Sequence, residues 1–234
     1  MRKFRTEINL EKYDPFQVSL LKEDCILVDR EDKRIGKASK KNCHLRSDVD
    51  DGILHRAFSV FLFDEQGRLL LQQRSKSKIT FPLFWTNSCC SHPLANPMEI
   101  EEEDQIGIRR AAQRKLNQEL GINPDELDLN SFHYLTRIHY SASSDLNWGE
   151  NEVDYILFLK KKVNIVINPL EVNDVLYVSQ QELRDFIEYS KTNSLVKITP
   201  WFLLIVENYI WKWWDALLDG VLDRYRDDII HHYT

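Results

Sequence analysis

The sequence predicts an α/β fold in a single domain, with helices packed on a mixed β-sheet. Segments rich in β-branched and aromatic residues alternate irregularly with segments of helical periodicity, and one pair of strands is spaced as a hairpin. The chain has 234 residues, 43% of them hydrophobic, which suffices for one substantial core. Its seven glycines and seven prolines form no linker, so nothing in the composition divides the chain.

The first strands are predicted before residue 75. The segments "CILVD", from Cys25 to Asp29, and "AFSVFLF", from Ala57 to Phe63, are apolar runs of the length of buried strands. The polar turn "DEQGR" then leads into "LLLQQR", and this order predicts a hairpin.

The second half adds helices and two further strands. The segment "IGIRRAAQRKLNQELG" has apolar residues at helical spacing and ends on Gly121, a residue typical of helix C-termini. The segments "FHYLTRIHY" and "VDYILFLK" have strand composition. Ser179 and Glu182 have the spacing of a capping box, and Pro200 is expected at or near the start of a last long helix.

Composition and charge exclude several classes of function. A formal net charge of −6 argues against a nucleic-acid surface, and an anionic ligand would need a local basic cluster or a metal ion. The chain has no uninterrupted apolar run of the ~18 residues that a membrane span needs, so we expect no stable membrane insertion. The segment "MRKFRTEINLEKYDPF" does not resemble a signal peptide because it lacks an apolar core.

Two adjacent cysteines stand out in "WTNSCCSHPL" among only four in the chain. They could form a metal clip, a redox pair, a nucleophile beside a bystander, or two buried residues of a core strand. Adjacent cysteines bridge poorly, and Cys25 and Cys43 show no spacing of a secreted framework, so we expect reduced thiols in the cytosol. In an extended segment, Cys90 would share a face with His92, and Cys89 would point the other way.

Two glutamates in "WGENEVDY" suggest a metal site. Glu150 and Glu152 would share one face of a strand, which is unfavourable unless a cation or solvent separates them. His44, His55 and His92 could complete the site, although each is weak support alone. Three imidazoles and two carboxylates suit Mg²⁺, Mn²⁺ or an expanded Zn²⁺ shell. The simpler interpretation is a solvated sheet edge.

A basic set lies close to these candidates in the sequence. Lys40 precedes His44, and Arg74 and Lys78 occur in "QQRSKSKITFP". A solvated charged face would explain them, but Lys and Arg are also the usual partners of phosphate groups. In an acidic chain, their proximity to candidate metal ligands indicates a phosphorylated substrate.

Nine segments together resemble type I isopentenyl-diphosphate isomerase: "KKNCHL", "ILHRAFSV", "LLLQQR", "KITFP", "WTNSCCSHPL", "RIHY", "WGENE", "DYILF" and "ITPWF". The resemblance runs from about Cys25 to Trp214. It implies a Nudix-like α/β/α sandwich, with a catalytic core of about residues 53–203, an N-terminal extension and a C-terminal aromatic helix. It also implies the interconversion of isopentenyl and dimethylallyl diphosphates, a step of isoprenoid and sterol precursor biosynthesis.

The resemblance assigns roles to residues. Cys90 and Glu152 are the implied catalytic pair, with Tyr140 assisting the carboxylate. The implied metal ligands are His44, His55, His92, Glu150 and Glu152. Contacts to the substrate diphosphate fall on Lys40, Arg74, Lys78 and Ser91, while Trp201 lies near the isoprenoid tail. A second ion, Mg²⁺ carried by the diphosphate, is approached by Glu119. Near these cationic groups, Cys90 is expected to ionise readily.

Further expectations concern partners and location. The implied enzyme uses no flavin. The acidic net charge predicts no nucleic-acid partner, and we expect a monomer. We expect it in the cytosol, since "HYT" does not match the peroxisomal tripeptide of several relatives. Asn151 departs from the "WGEHE" of many relatives, but in a strand it would face away from the metal.

Two other functions remain to be separated from isomerisation. Nudix hydrolases carry several glutamates on one helix, but in "RKLNQELGI" Lys115 and Gln118 replace two of them, which would weaken the metal cluster that activates water. A metal-stabilised module that only binds phosphate would explain the basic cluster but would leave Cys90 without a role.

Overall fold

The computed structural model describes residues 8–46 and 52–234, so the first seven residues of the predicted N-terminal extension lie outside the described part. In these ranges one sheet contains ten strands: β1 (Asp24–Val28), β2 (Arg34–Ser39), β3 (His55–Phe63), β4 (Leu69–Arg74), β5 (Trp85–Thr86), β6 (Cys89–Ser91), β7 (His133–Ser143), β8 (Gly149–Lys160), β9 (Val172–Val178) and β10 (Ile230–His232). The α-helices are α1 (Pro15–Leu20), α2 (Lys40–His44), α3 (Ile106–Leu120), α4 (Gln180–Thr192), α5 (Pro200–Asn208) and α6 (Ile210–Leu218). None of these helices is long and apolar enough to span a membrane.

The sheet is mixed, as predicted. Its main path runs β10, β7, β8, β3, β1 and β2, with β3 parallel to β8 and β10 parallel to β7. The other described pairings are antiparallel. β3 is therefore the central strand, and it also pairs with β6.

Alternate residues of β3 point into two different cores. Phe61 and Phe63 face a core that includes α5 and α6, whereas Phe58 and Val60 face a core formed with α3. Each of these four side chains is fully buried, and burial of one such side chain stabilises the fold by about 1.5–3 kcal/mol. Helices on both faces of the sheet produce the α/β/α layering that the resemblance implies.

Helix α3 ends as the sequence predicts. Gly121 closes it in the left-handed region at φ 64°, where a residue without a Cβ is unstrained. The capping box of α4 is also present, because Ser179 accepts from the backbone of Glu182, whose side chain accepts in return.

Two predicted elements differ from the structure. The last long helix is two helices, α5 beginning at Pro200 and α6, separated at Tyr209 with φ −135° and ψ −46°. The hairpin of β3 and β4 holds only at the pair Phe63 and Leu69. Beyond it, β4 pairs with β9 and β5, while β6 pairs with β3. The sheet therefore branches beside β3, and residues of both branches, Arg74 and Cys90, line one cavity.

Candidate active site

Three histidines and two glutamates converge at one end of the central strands. His44 is the last residue of α2, His55 the first of β3, and His92 follows β6. Glu150 and Glu152 lie on β8. All five side chains are buried, and one ligand atom from each can be chosen so that all lie within 4.8 Å of one another. Four separate elements therefore supply one compact set of donors.

The register of the sheet explains this convergence. Glu152 lies opposite His55 on β3 and opposite Tyr140 on β7. Asn151 points away from the set, and its Oδ1 lies 3.1 Å from Nε2 of His139. The departure at position 151 therefore leaves the metal-facing side unchanged, as expected for a strand.

Backbone carbonyls orient two of the imidazoles. Nδ1 of His44 lies 2.7 Å from the carbonyl of Lys40, and Nδ1 of His55 lies 2.7 Å from that of Ile53. With Nδ1 bonded to a carbonyl, Nε2 of each ring is turned toward the carboxylates, the arrangement of metal-binding histidines. Nε2 of His44 lies 2.8 Å from Oε2 of Glu150, yet neither atom makes a hydrogen bond within the described chain. A bound cation would satisfy both this nitrogen and this carboxylate oxygen.

The histidines also differ in their ionisation. Burial alone would lower the pKa of His55, but the Glu152 carboxylate, with Oε1 3.5 Å from its Nε2, raises that pKa to about 9. Burial lowers the pKa of His92 well below its ordinary value, and the neighbouring His55 and His44 lower it further. A protonated imidazole has no lone pair for a metal, so a divalent ion bound here would displace the proton of His55. The donor set of three nitrogens and two carboxylates therefore fits such a metal.

The two adjacent cysteines face opposite sides of the sheet. Cys89 is fully buried in the core formed with α3, and its Sγ lies 3.6 Å from Oε2 of Glu119. Cys90 is half-buried and lines the same pocket as His92. Both cysteines are free thiols. Strand alternation predicts these directions, although Ser91 also lines the pocket.

The expectation that Cys90 ionises readily is wrong for this environment. Burial raises the pKa of Cys90 to about 12, and the guanidinium of Arg74 offsets only part of that effect. The pKa of Cys89 is likewise raised well above its ordinary value, mainly by burial. At neutral pH Cys90 is therefore a thiol and carries a proton.

Arg74 is held beside this thiol by the loop that follows β4. Its Nε donates to the carbonyls of Thr80 and Phe81, each at 3.2 Å. Its Nη1 is left 3.9 Å from Sγ of Cys90, and its guanidinium carbon lies 5.8 Å from the ring centroid of Trp201. A fixed positive charge therefore lies close to both the Cys90 thiol and the Trp201 ring.

Tyr140 donates a short hydrogen bond from its hydroxyl to Oε2 of Glu152. Burial and the nearby Glu152 raise the pKa of Tyr140 well above its ordinary value, so the phenol keeps its proton. Burial would raise the pKa of Glu152, but the nearby His55 and the hydrogen bond from Tyr140 outweigh it and lower that pKa. Trp201 packs beside Tyr140 with 5.9 Å between ring centroids. The pocket thus contains a carboxylate base and, in Cys90, a protonated thiol.

Basic groups line the same pocket. Lys40, Arg74 and Lys78 surround it together with Ser91 and Cys90. Burial, aided by neighbouring lysines, lowers the pKa of Lys40. The predicted anion-binding residues therefore meet the predicted catalytic residues in one cavity.

Glu119 lies apart from the five-residue set. It is buried on α3, with its Oε1 3.1 Å from Nζ of Lys115 and 3.5 Å from Nζ of Lys78. Its Oε2 accepts from Nε2 of Gln72 at 3.1 Å. Lys78 is the residue that connects this carboxylate to the pocket.

Two buried carboxylates near the pocket were not predicted. Asp154 continues the spacing of Glu150 and Glu152 and accepts from Oγ of Ser59 at 2.8 Å; burial and Glu152 raise its pKa well above the ordinary value. The period of two could have revealed it. Glu171 lies in the loop before β9, where no local pattern distinguishes it from a solvated glutamate.

Comparisons with known proteins agree with this geometry. A model of the NUDIX domain matches residues 53–202. The chain is 56% identical over 211 residues to isopentenyl-diphosphate Delta-isomerase 1 of Mesocricetus auratus, covering 90% of this chain and 92% of that relative. It is 47% identical over 225 residues to the chloroplastic isopentenyl-diphosphate Delta-isomerase I of Arabidopsis thaliana, covering 95% and 77%.

A solved structure from Deinococcus radiodurans shares the fold. It superposes with a TM-score of 0.55 at 18% sequence identity, covering 80% of this chain and 100% of that chain. At this identity, the likeness concerns the fold alone.

Proposed function

This chain belongs to the isopentenyl-diphosphate Delta-isomerase family within the Nudix superfamily, and we propose that Cys90 and Glu152 are its acid–base pair. The enzyme interconverts isopentenyl and dimethylallyl diphosphates in isoprenoid biosynthesis. One observation supports the residue assignment above all: the Cys90 thiol and the Glu152 carboxylate line a single pocket that also contains the basic groups.

The reaction needs two groups that exchange protons with carbon. A proton is added to C4 and another is removed from C2, which moves the double bond through a species with carbocation character. An unactivated alkene is a poor base, so its protonation needs an acid held in position. A second group must remove the proton from C2, and we place the two groups on opposite faces of the carbon chain. Because the reaction is reversible, each of the two groups acts as acid in one direction and as base in the other.

Cys90 and Glu152 have complementary protonation states for this task. The buried thiol of Cys90 keeps its proton, while Glu152 is ionised and held by the hydroxyl of Tyr140. The Tyr140 hydrogen bond also fixes the direction of the carboxylate. Trp201, packed against Tyr140, would stabilise positive charge on the substrate by ~1–2 kcal/mol through its ring face. These rings and the burial of the pocket would also exclude water that would trap the cation as an alcohol.

The five-residue set would hold a divalent ion, Mg²⁺, Mn²⁺ or Zn²⁺. His44, His55, His92, Glu150 and Glu152 are the residues that would bind it. When bound, the ion supplies positive charge that neutralises the two carboxylates and fixes the orientation of Glu152. The carbonyls of Lys40 and Ile53 orient two of the imidazoles before the ion arrives.

The basic side of the pocket would bind the diphosphate. Lys40, Arg74, Lys78 and Ser91 are the contacts proposed for its oxygens. The substrate would carry its own Mg²⁺, approached by Glu119. No flavin is needed for proton transfer of this kind. We expect a monomer, and four free thiols support a cytosolic location.

The assay that separates the three functions follows both product and phosphate. We expect isopentenyl diphosphate to be converted to dimethylallyl diphosphate, followed by proton NMR, with no release of inorganic phosphate or pyrophosphate. Release of either anion would instead support a hydrolase. A protein that binds diphosphate but forms no product would be a binding module.

We expect full activity to require Mg²⁺ even when the five-residue site is loaded. Glu119 is the carboxylate proposed to face the ion carried by the diphosphate, and it is distinct from the five-residue set. Enzyme with one tightly bound metal per chain is assayed in chelator-treated buffer, with and without added Mg²⁺. An unchanged rate without Mg²⁺ would contradict this role, and restoration by Mg²⁺ supports it.

A further inference from the structure

Two lysines and two glutamates form a buried ion cluster behind the pocket. Nζ of Lys115 lies 3.1 Å from Oε1 of Glu119 and 3.4 Å from Oε1 of Glu171. Nζ of Lys78 lies 3.5 Å from Oε1 of Glu119 and in direct contact with Oε2 of Glu171. The two positive and two negative charges balance, which buried ions require.

Glu171 is the best anchored member of this cluster. Its carboxylate is fully buried, and besides the lysines it accepts from Nε2 of Gln118 at 2.7 Å and from Nε2 of Gln17 at 3.4 Å. Its backbone carbonyl accepts from the backbone of Ser75 at 3.0 Å, at the start of the loop that carries Lys78. The residue is thereby tied to α1, α3 and that loop at once.

The two residues that depart from the hydrolase motif both contact the Glu171 carboxylate. Lys115 and Gln118 stand where hydrolases of this fold carry glutamates, and both side chains contact Glu171. Where those enzymes gather carboxylates around metal ions, this chain has an ammonium group, an amide and a glutamate from a distant loop. The cluster therefore accounts for residues that the proposed chemistry does not use.

Lys78 belongs to both the cluster and the pocket. Its side chain is only 9% exposed, and it lines the cavity with Lys40 and Arg74. A long lysine side chain loses about 2 kcal/mol of rotamer freedom when it is fixed in one position. Contact with Glu171 fixes the Lys78 side chain before any anion arrives. The loss of rotamer entropy therefore does not weaken anion binding.

Without the charge of Glu171, Glu119 would be the one buried carboxylate left within ion-pair distance of both lysines among the described residues. Glu119 is also the carboxylate proposed to approach the Mg²⁺ of the substrate. Two ammonium groups drawn to Glu119 would compete with that ion and would leave Lys78 displaced from the diphosphate. Glu171 therefore keeps Lys78 in place and Glu119 available.

We propose that Glu171 is a positioning residue for diphosphate binding, acting through its contacts with Lys78 and Lys115. This inference rests on the proposed function, since it takes Lys78 as a contact to the diphosphate. Glu171 itself does not line the pocket. Its effect falls on the affinity for the diphosphate and on the Mg²⁺ requirement, and only weakly on proton transfer at Cys90 and Glu152.

The test compares Glu171→Gln with wild type in binding and in turnover. Inorganic pyrophosphate with Mg²⁺ is titrated into the metal-loaded protein by calorimetry, and steady-state rates give KM and kcat for isopentenyl diphosphate. We expect the dissociation constant and KM to rise by about tenfold or more, because a charge-assisted contact is worth roughly one decade of affinity or more. We expect kcat to stay within about threefold of wild type, which is less than the tenfold change that 1.4 kcal/mol would produce.

Asp32→Asn is the matched control for a structural effect. Asp32 is another buried carboxylate in an ion cluster, with Oδ1 2.8 Å from Nε of Arg56 and Oδ2 3.0 Å from Nη1 of Arg137. It does not line the pocket. We expect this variant to lower Tm while pyrophosphate affinity and KM remain those of wild type. Glu171→Gln with a lower Tm, unchanged affinity and unchanged KM would overturn the proposal.

Lys78→Gln separates failure of this inference from failure of the proposed function. If Lys78→Gln binds pyrophosphate as wild type does, the proposed diphosphate site itself is wrong. If Lys78→Gln weakens binding and Glu171→Gln does not, only the role of Glu171 is rejected. Should Glu171→Gln fail to fold, Gln118→Leu removes one hydrogen bond from the same carboxylate. A rise of a few fold in its KM, about the worth of one hydrogen bond, supports the proposal, and an unchanged KM rejects it.

Discussion

Cys90→Ala is expected to lower kcat by about 10²–10⁴-fold, the range for loss of a positioned acid or base. The thiol has no substitute at its position, because the charged neighbour on that side, Arg74, is committed to the carbonyls of Thr80 and Phe81. The variant should fold and bind pyrophosphate normally, since a half-buried cysteine loses only one sulfur atom. Steady-state kinetics with calorimetric binding measure both properties on one preparation.

Cys89→Ala is the control for this variant. Cys89 packs in the core formed with α3 and does not line the pocket, so most of the turnover should remain. Alkylation of both thiols should be slow at neutral pH because both are protonated. The half-buried Cys90 should react faster than the buried Cys89, and bound substrate should slow its reaction. Label on Cys89 that accompanies loss of activity, or an active Cys90→Ala enzyme, would refute the assignment.

Glu152→Gln is expected to abolish measurable turnover, with a loss at least as large as that of Cys90→Ala. The substitution removes the base, and it also removes one of the two carboxylates of the five-residue set. Tyr140 can still donate to an amide oxygen, so the side chain should keep its place. Turnover is measured beside metal content per chain, and normal turnover would exclude Glu152 from the chemistry.

Glu150→Gln distinguishes metal binding from proton transfer. Glu150 lies in the same strand two residues away and contacts Nε2 of His44, but Tyr140 does not bond to it. We expect weaker metal retention, by about 10–100-fold, the range known for changes close to a metal site. Turnover should return when metal is supplied in excess. Equal and irreversible loss in both glutamate variants would mean that neither carboxylate has a separate catalytic task.

Periodicity and composition were sufficient for the parts of the fold that bury long apolar faces. The central strand β3, the strands β7 and β8, and helix α3 with its Gly121 terminus follow from local pattern. The break at Tyr209 could not be predicted, because the residues on both sides of it continue a helical pattern. The three-residue strand β10 has no signal of its own and exists because β7 offers it an edge.

In the candidate site, too, some features follow from local sequence pattern and others depend on tertiary packing. The shared face of Glu150 and Glu152 follows from the period of a strand, whereas their meeting with His44 and His92 depends on the contact of α2 with β8 and on the pairing of β3 with both β6 and β8. Glu171 could not be found from sequence, since its partners Lys78 and Lys115 lie 93 and 56 residues away. The ionisation of Cys90 was mispredicted because burial outweighs the nearby positive charge.

The most direct test of the account is the reaction of isopentenyl diphosphate in deuterated water, followed by proton and deuterium NMR. Two separate groups exchange protons with solvent between turnovers, so the new methyl group of dimethylallyl diphosphate should carry deuterium from the solvent, with no pyrophosphate released. The same experiment with Cys90→Ala and with Glu152→Gln should give no labelled product. Product formed by wild type without deuterium would contradict the two-group mechanism, because it would mean that one group carries the same proton from C2 to C4.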